Sequence, residues 1–477
     1  MSYAKIWPMT EQAGPLQIVI LGGSGDLAKR KLIPALVDLH ARGRLPLDLN
    51  LIGLARTPRS DEDYRSFVTE AISVHDPSYQ QSAVDAFCEK VSYLSGNFNQ
   101  PESYQQLDSA LNAYEEKIGS ATNKIFYLAV PPQHYEEILL ALSHCQSAKE
   151  EGEGWSRVLI EKPFGSNLQT AQKLDEKLSN LFKESQIFRI DHYLAKEAVQ
   201  NIMSFRFANP LLRAVWNKEN ISAVHIRMHE TIDVGSRADF YEGVGALRDV
   251  GQNHLLQLLA LTAMEEPESY SAKDVRNRRA EILETLRSIP ETELSERVLR
   301  GQYKGYREAA GVREESDTET YFELLLELDH DNWRGVPFYL TAGKGLDREE
   351  VSVEVTFKNE QQLFGDQSCS TQENIVRMEI SPQQALSLTL NAKAPGLQFQ
   401  FEPRALSFVC QEGEEEITNS YEKVLYDCII GDHMLFTETE EVLAAWKFVS
   451  PILEIWNQLP LHTYEKGSQG PQQHLIG

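Results

Sequence analysis

The 477-residue sequence predicts an α/β fold, a parallel sheet with helices, followed by a larger α+β part with a mostly antiparallel sheet. Three observations predict it. Short apolar runs alternate with helically spaced segments through the first 190 residues or so. A glycine-rich turn joins the first apolar run to the first helical segment. Beyond about residue 190, several segments switch to the period-two alternation of strands with one buried face.

Residues 17–22 (QIVILG) are apolar and run into glycines, and 27–40 have helical spacing, which makes a strand, a turn and a helix. Residues 50–54 (NLIGL) read as a second strand. Residues 124–130 (KIFYLAV) read as a third, stopped by Pro131 and Pro132, and 157–160 (RVLI) as a fourth, stopped at Pro163. Helices are expected between them, over 103–118 and 135–143. Residues 191–207 and 249–263 read as helices, and 224–230, 321–328, 351–357 and 385–390 as strands. The stretches 147–155 (SAKEEGEGW) and 411–416 read as solvated loops. The change of pattern divides the chain into a nucleotide-binding part, 1–190, and a second part, 191–477.

With 71 acidic against 46 basic residues, the formal charge is -25. Such a chain repels phosphate backbones and anionic membrane surfaces, so neither nucleic acid nor a membrane is an expected partner. A local cluster of Lys, Arg and His can still hold a small anion at close range. The five cysteines (Cys88, Cys145, Cys369, Cys410 and Cys428) are scattered and form no CxxC pair, which points to reduced thiols and a cytoplasmic setting. The first residues lack a basic segment followed by an apolar one, so no signal peptide is expected. The longest apolar runs are too short to span a bilayer. No fixed-period repeat is evident.

The turn after the first strand is Gly22-Gly23-Ser24-Gly25-Asp26-Leu27-Ala28. From Gly23 it fits G-x-G-x-x-A. Glycines permit the tight turn and let backbone N–H groups approach a pyrophosphate, and the helix that follows offers its positive end. This makes the first part Rossmann-like. A phosphate-binding P-loop would need G-x-x-x-x-G-K-[ST], which the turn lacks. The second strand continues into Arg56, where NAD sites usually carry an acid for the ribose hydroxyls. An arginine suits a 2′-phosphate, so NADP is favoured, with NAD a weaker alternative. Arg56 as an ordinary surface charge is the plain alternative.

Taken in order, GGSGDLAKRKLIPAL, IFYLAVPP, IEKPFG, RIDHYLAKEAVQN, GALRDVGQNHLLQ and GVPFYL…GK resemble the glucose-6-phosphate dehydrogenase family, from about residue 17 to Pro471. The resemblance implies a Rossmann coenzyme domain, then a β+α domain whose sheet helps build homodimers or homotetramers. It implies oxidation of glucose 6-phosphate to 6-phosphogluconolactone, the first step of the pentose phosphate pathway. Other sugar dehydrogenases share the E-K-P context. The DHYLAKE and RDVGQNH segments set this chain apart from them. The same chemistry on another hexose phosphate, or a non-catalytic nucleotide-binding relative, are the alternatives; the second would be expected to have lost the base or its partner.

Removing hydride from C1 of a sugar requires a base for the hydroxyl proton. By resemblance that base is His254 and its carboxylate partner is Asp191, which would hold the imidazole's tautomer. Read without the resemblance, His254 is a core histidine on an apolar helix. Asp191 suits a helix N-cap, which would set His192 and Lys196 four residues apart on one face, with Tyr193 adding a hydroxyl. By resemblance this segment holds the substrate phosphate; the plain alternative is a capped amphipathic helix.

Lys162, Glu230 and Asp249 are sugar ligands by resemblance, and Lys162 is a coenzyme contact as well. Glu230 continues the face of Val224, Ile226 and Met228. His225, Arg227 and His229 take the other face; with no carboxylate near them in the sequence, a metal pair there is not expected, and the chemistry requires no metal.

The chain departs from the family in places. FYLRTGK reads Phe338-Tyr339-Leu340-Thr341-Ala342-Gly343-Lys344, so Thr341 replaces an arginine while Lys344 survives as a substrate ligand. Gly345 stands where a base is common, and Arg348 or nothing replaces a later one. RIQP reads Glu379-Ile380-Ser381-Pro382, and Glu379 would repel the structural NADP that some members bind, so none is expected. GRGGY becomes Ser236-Arg237-Ala238-Asp239-Phe240, and Ser24 stands where threonine is common. Thinner positive charge predicts weaker binding or a relaxed choice of hexose phosphate.

Overall fold

The computed structural model describes residues 14–150, 153–359, 371–397, 400–409 and 419–475. The loop expected over 411–416, Cys369 and Cys410, and the first thirteen residues lie outside them. Sixteen strands are present among the described residues. In chain order they are β1 Leu16–Leu21, β2 Leu49–Ala55, β3 Val91–Ser95, β4 Asn123–Leu128, β5 Ser156–Glu161, β6 Ile187–Ile190, β7 Ile221–His229 and β8 Val298–Tyr303. They continue as β9 Tyr321–Leu326, β10 Phe338–Gly343, β11 Glu350–Phe357, β12 Ile375–Ser381, β13 Ala385–Lys393, β14 Phe401–Val409, β15 Phe436–Thr437 and β16 Leu461–Tyr464.

Two compact units form. The described residues of the first fall within Met1–Gly165, Gln169–Ala195 and Thr418–Thr437; those of the second fall within Ser166–Leu168, Lys196–Ile417 and Glu438–Gly477. A single cut after residue 190 leaves out the return of 418–437, whose β15 pairs antiparallel with β6.

The first unit is built on a seven-stranded sheet of order β15-β6-β5-β4-β1-β2-β3, parallel apart from β15. Its central strands are buried from end to end, which accounts for their near-continuous apolar sequences. The polar exception, Gln17, is satisfied inside: its amide donates to Leu111 O at 3.0 Å and Thr122 Oγ1 at 2.9 Å. The strand expected third is the fourth, because β3 (VSYLS) precedes it; only Val91 and Tyr93 of β3 are buried apolar residues, too weak an alternation to stand out. Chain order reverses at β1, between β2 and β4, and such a reversal opens a ligand crevice beyond the carboxyl ends of the strands.

The second unit carries a nine-stranded sheet of order β14-β13-β12-β11-β7-β10-β9-β8-β16. It is antiparallel except for the β7–β10 and β8–β16 pairs. Register aligns Val224, Ile226 and Met228 of β7 with Val355, Val353 and Val351 of β11 on one side, and with Phe338, Leu340 and Ala342 of β10 on the other. All nine are buried, and they form one apolar face.

The opposite face is ionic. His225 lies opposite Glu354, and His229 opposite Glu350. Carboxylates do therefore share the face of the two histidines, contrary to the sequence expectation, because a neighbouring strand far away in sequence brings them in. Both are already engaged: Glu354 with Arg227 at 3.3 Å and Arg377 at 3.1 Å, Glu350 with Arg377 at 2.8 Å and Arg348 at 2.9 Å. Thr341 lies in the same layer, in register with Arg227 and Glu323 and 6 % exposed.

Candidate active site

The glycine turn is held by backbone geometry. Gly22 N–H and Gly23 N–H donate to Leu54 O at 2.7 and 3.3 Å, and Gly25 N–H donates to Gly22 O at 2.8 Å. Gly22 has φ of 92°, and a Cβ there would lie 2.3 Å from Ala129 O at the end of β4. A Cβ on Gly23 would lie 2.6 Å from the Gly53 Cα of β2. Only glycine fits either position. Ser24, Asp26 and Leu27 complete the turn and open the helix, whose first turns, Ala28–Leu32, are π-type before the α-helix Ile33–Ala41. The unbonded N–H groups at the start of a helix form an anion site when glycines let a ligand approach. The turn therefore fits a dinucleotide pyrophosphate.

Arg56 is exposed and follows β2 directly. Arg59, three residues on, was not singled out from the sequence. Its guanidinium lies 5.2 Å from the Phe67 ring centroid, and its Nε is buried without a hydrogen-bond partner among the described residues. Two arginines three apart, just past β2, are the signal that could have found it.

Glu161 ends β5, and Lys162 follows it through a cis peptide to Pro163. Glu161 is buried, with Tyr127 OH donating to its carboxylate at 2.6 Å and Tyr135 OH to its backbone carbonyl at 2.9 Å. Tyr421 hydrogen-bonds the same carboxylate. Burial pushes the Glu161 pKa up to about 7, while the Tyr127 hydrogen bond and the Lys162 charge oppose the rise.

Residues 191–196 do not continue a helix. Asp191 Oδ1 accepts Tyr193 N–H at 3.0 Å and Asp191 O accepts Leu194 N–H at 3.0 Å, so the segment is a turn, and the α-helix runs over Glu197–Ala208. Aspartate commonly wins the backbone in this way. The expected helical spacing of His192 and Lys196 is thereby corrected, and Lys196 rather than Asp191 takes the N-cap position. His192 and Tyr193 have ring centroids 5.0 Å apart, and the Tyr421 ring stacks against His192 from the returning segment. Nothing near residue 191 in the sequence signals Tyr421.

In the second unit, the helix bearing His254 is fixed by a buried acid. Glu319 accepts Leu247 N–H at 3.0 Å and Trp456 Nε1–H at 2.8 Å, and its backbone carbonyl accepts Ala246 N–H at 3.1 Å. A Cβ on Gly245, whose φ is 73°, would lie 2.3 Å from Glu319 Oε1, which explains the glycine. At Gly251 a Cβ would come within 2.8 Å of Phe322 of β9, so this glycine lets the helix press onto the sheet. Leu247–Leu255 form π-type turns that run into the α-helix Leu256–Ala263. Among the described residues the two π-type stretches fall at the glycine turn and at His254, and such turns are frequent at functional sites. His254 is 1 % exposed.

Glu230 lies one residue past β7, its N–H donating to Gly343 O at 2.9 Å. Lys344 ion-pairs with Glu230, and its Nζ lies 3.7 Å from Asp249 Oδ2. These three predicted ligands converge. Lys344 is anchored through its backbone: its N–H donates to Thr320 O at 2.9 Å, and its carbonyl accepts Tyr464 OH at 2.6 Å. Gly345 has φ of 66°, a conformation that favours glycine over the basic residue common there. Arg348 is engaged by Glu350.

A family profile described as the NAD binding domain of glucose-6-phosphate dehydrogenase matches residues 19–201, and one for the C-terminal domain of glucose-6-phosphate dehydrogenase matches 203–475. A glucose-6-phosphate 1-dehydrogenase from Chlamydia muridarum is 39 % identical, covering 98 % of this chain and 96 % of the relative. An Arabidopsis thaliana relative named glucose-6-phosphate 1-dehydrogenase 6, cytoplasmic, is 34 % identical over 99 % of this chain and 92 % of its own. A solved glucose-6-phosphate dehydrogenase in complex with its substrate glucose-6-phosphate superimposes with a TM-score of 0.89 at 33 % identity, covering 96 % of this chain and 95 % of that one.

Proposed function

Because the chain belongs to the glucose-6-phosphate dehydrogenase family, we infer that it oxidises glucose 6-phosphate at C1 to 6-phosphogluconolactone, the opening step of the pentose phosphate pathway. The observation that carries this reading is the convergence of Lys344, Glu230 and Asp249 in the unit that also bears His254.

A bound nicotinamide coenzyme would supply the hydride acceptor. The glycine turn at Gly22–Gly25 would hold its pyrophosphate. Arg56 would pair with a 2′-phosphate, so NADP is the proposed coenzyme and NAD the weaker one. His254 takes the C1 hydroxyl proton, and Asp191 holds the imidazole and stabilises its charged form. His192, Tyr193 and Lys196 hold the substrate phosphate. Glu230 and Asp249 accept hydrogen bonds from sugar hydroxyls, Lys344 balances their charge, and Lys162 orients sugar and coenzyme together.

A homodimer or homotetramer is the proposed assembly. Edge strand β14 supports it, since Leu406 and Phe408 there are 64 % and 52 % exposed. The cytoplasmic setting is proposed from the name of the Arabidopsis relative and from the sparse, scattered cysteines. No helix among the described residues is long and apolar enough to cross a membrane.

The test follows NADPH absorbance with glucose 6-phosphate and NADP, with NAD, galactose 6-phosphate and free glucose in parallel. Efficient turnover of glucose 6-phosphate with NADP is expected. Turnover of another sugar alone would move the specificity, and turnover of none would overturn the reading.

A further inference from the structure

We propose that the Tyr241 hydroxyl binds the sugar, donating to a substrate hydroxyl that in turn donates to Asp249, and so helps to select the hexose phosphate. This rests on the sugar-phosphate reading of the site, and it adds a specificity-determining residue to it.

Five buried tyrosines share one cluster in the second unit: Tyr241, Tyr303, Tyr306, Tyr321 and Tyr464. Four of the hydroxyls are occupied. Tyr303 OH accepts Val234 N–H at 3.3 Å, Tyr306 OH donates to Glu242 at 3.0 Å, Tyr321 OH donates to Glu323, and Tyr464 OH donates to Lys344 O at 2.6 Å. Tyr241 OH is shielded from solvent and has no hydrogen-bond partner among the described residues, and the residue is 5 % exposed. A buried hydroxyl left without a partner is destabilising, and in a native structure such a group calls for an explanation, a ligand contact among them.

The surroundings identify the missing partner. The Lys344 ammonium lies 5.5 Å from the Tyr241 ring centroid, and it joins Glu230 and Asp249. The carboxylates that act most on the phenol are Asp249, Glu319 and Glu230, in that order. Glu319 is already occupied by Leu247 N–H and Trp456 Nε1–H. Burial, with those carboxylates adding to it, holds the phenol pKa far above its ordinary value, so Tyr241 keeps its proton and is a donor. A phosphate is excluded beside two carboxylates. A hydroxyl fits, because it accepts from the phenol and donates to a carboxylate through the same oxygen. This corner therefore reads the sugar ring rather than the phosphate.

The experiment compares the full chain with Tyr241→Phe, which keeps the ring and removes the one oxygen. Steady-state kinetics use glucose 6-phosphate, 2-deoxyglucose 6-phosphate and galactose 6-phosphate with NADP, and melting temperatures are taken with and without glucose 6-phosphate. The KM for glucose 6-phosphate is expected to rise about tenfold, with kcat within about threefold and the KM for NADP unchanged. Without substrate the variant should melt no lower than the parent, because an unpaired buried hydroxyl has been removed; with substrate its stabilisation should be smaller. A purely structural tyrosine would show the reverse: a lower melting temperature and an unchanged KM. A KM within twofold of the parent, or an equal substrate-induced shift in melting, overturns the inference alone. A parent chain that turns over none of the sugars overturns the functional reading, and the inference with it.

Discussion

The Tyr421 ring lies nearly parallel to the His192 ring, with centroids 6.1 Å apart and planes 18° apart, and the same tyrosine hydrogen-bonds the buried Glu161 carboxylate. It comes from the helix Ser420–Ile430, which rejoins the first unit late in the chain. One residue thus braces both the histidine read as a phosphate ligand and the acid beside Lys162.

Tyr421→Phe keeps the stack and loses the hydrogen bond, whereas Tyr421→Ala loses both. The alanine variant is expected to raise the KM for glucose 6-phosphate about tenfold, and the phenylalanine variant less. The bond from Tyr421 favours the ionised carboxylate, so its loss should push the Glu161 pKa above about 7. Kinetics across pH 6–9 would read this as an upward shift of any limb near neutrality in Tyr421→Phe. Identical profiles would mean that Glu161 does not influence turnover.

Arg56→Ala should raise the KM for NADP by about ten- to a hundredfold and leave NAD nearly unchanged, since a charge-assisted phosphate contact contributes on the order of 1–3 kcal/mol. Arg59, with its unpartnered Nε, is a second cation close by. The double variant should therefore lose more of the proposed preference for NADP than Arg56→Ala does. Equal weakening of both coenzymes would remove Arg56 from the 2′-phosphate.

As the proposed general base acts in the transition state, His254→Asn should lower kcat at least a hundredfold while changing the KM for glucose 6-phosphate little. On the proposed role of Asp191 as the carboxylate partner of the base, Asp191→Asn should lower kcat in the same way. A loss of less than about tenfold in His254→Asn would assign the proton to another group.

The legible parts of the molecule are those where local chemistry and final environment agree. The apolar runs at β1, β4 and β5 are buried on both faces, and the glycine turn announces itself because Gly22 and Gly23 touch backbone. The 191–196 segment misled, because a helix-capping aspartate and a turn-forming aspartate look alike before the Tyr193 N–H chooses. Glu319, Tyr421 and Tyr241 were beyond reach for another reason. Their roles come from tertiary neighbours such as Leu247, His192 and Lys344, and no spacing within the sequence encodes those pairings.

The ionic face of the second sheet makes acid stability testable. Burial pushes the His225 pKa down to about 4, with Arg227 adding to the effect and Glu354 opposing it; burial also lowers that of His229, with Glu350 and Asp347 opposing and Arg227 and Arg348 reinforcing. His225 stacks on Tyr339 with centroids 4.8 Å apart, so the neutral ring is packed in place. Both histidines are neutral in the fold at a pH where an unfolded histidine, near 6.5, already binds a proton. The unfolded chain thus holds more protons between pH 6.5 and 4. The contribution of each histidine is complete above 6.5 and is lost as pH falls towards 4. Glu161, raised to about 7, acts in the opposite sense: its contribution is complete below about 4.5 and is lost as pH rises through 7. Comparing His225→Gln and Glu161→Gln with the parent separates the two. Urea midpoints from pH 4 to 7.5 should fall less steeply on acidification in His225→Gln than in the parent, and more steeply in Glu161→Gln. A His225→Gln curve parallel to the parent's would mean that the ring is already charged in the folded protein.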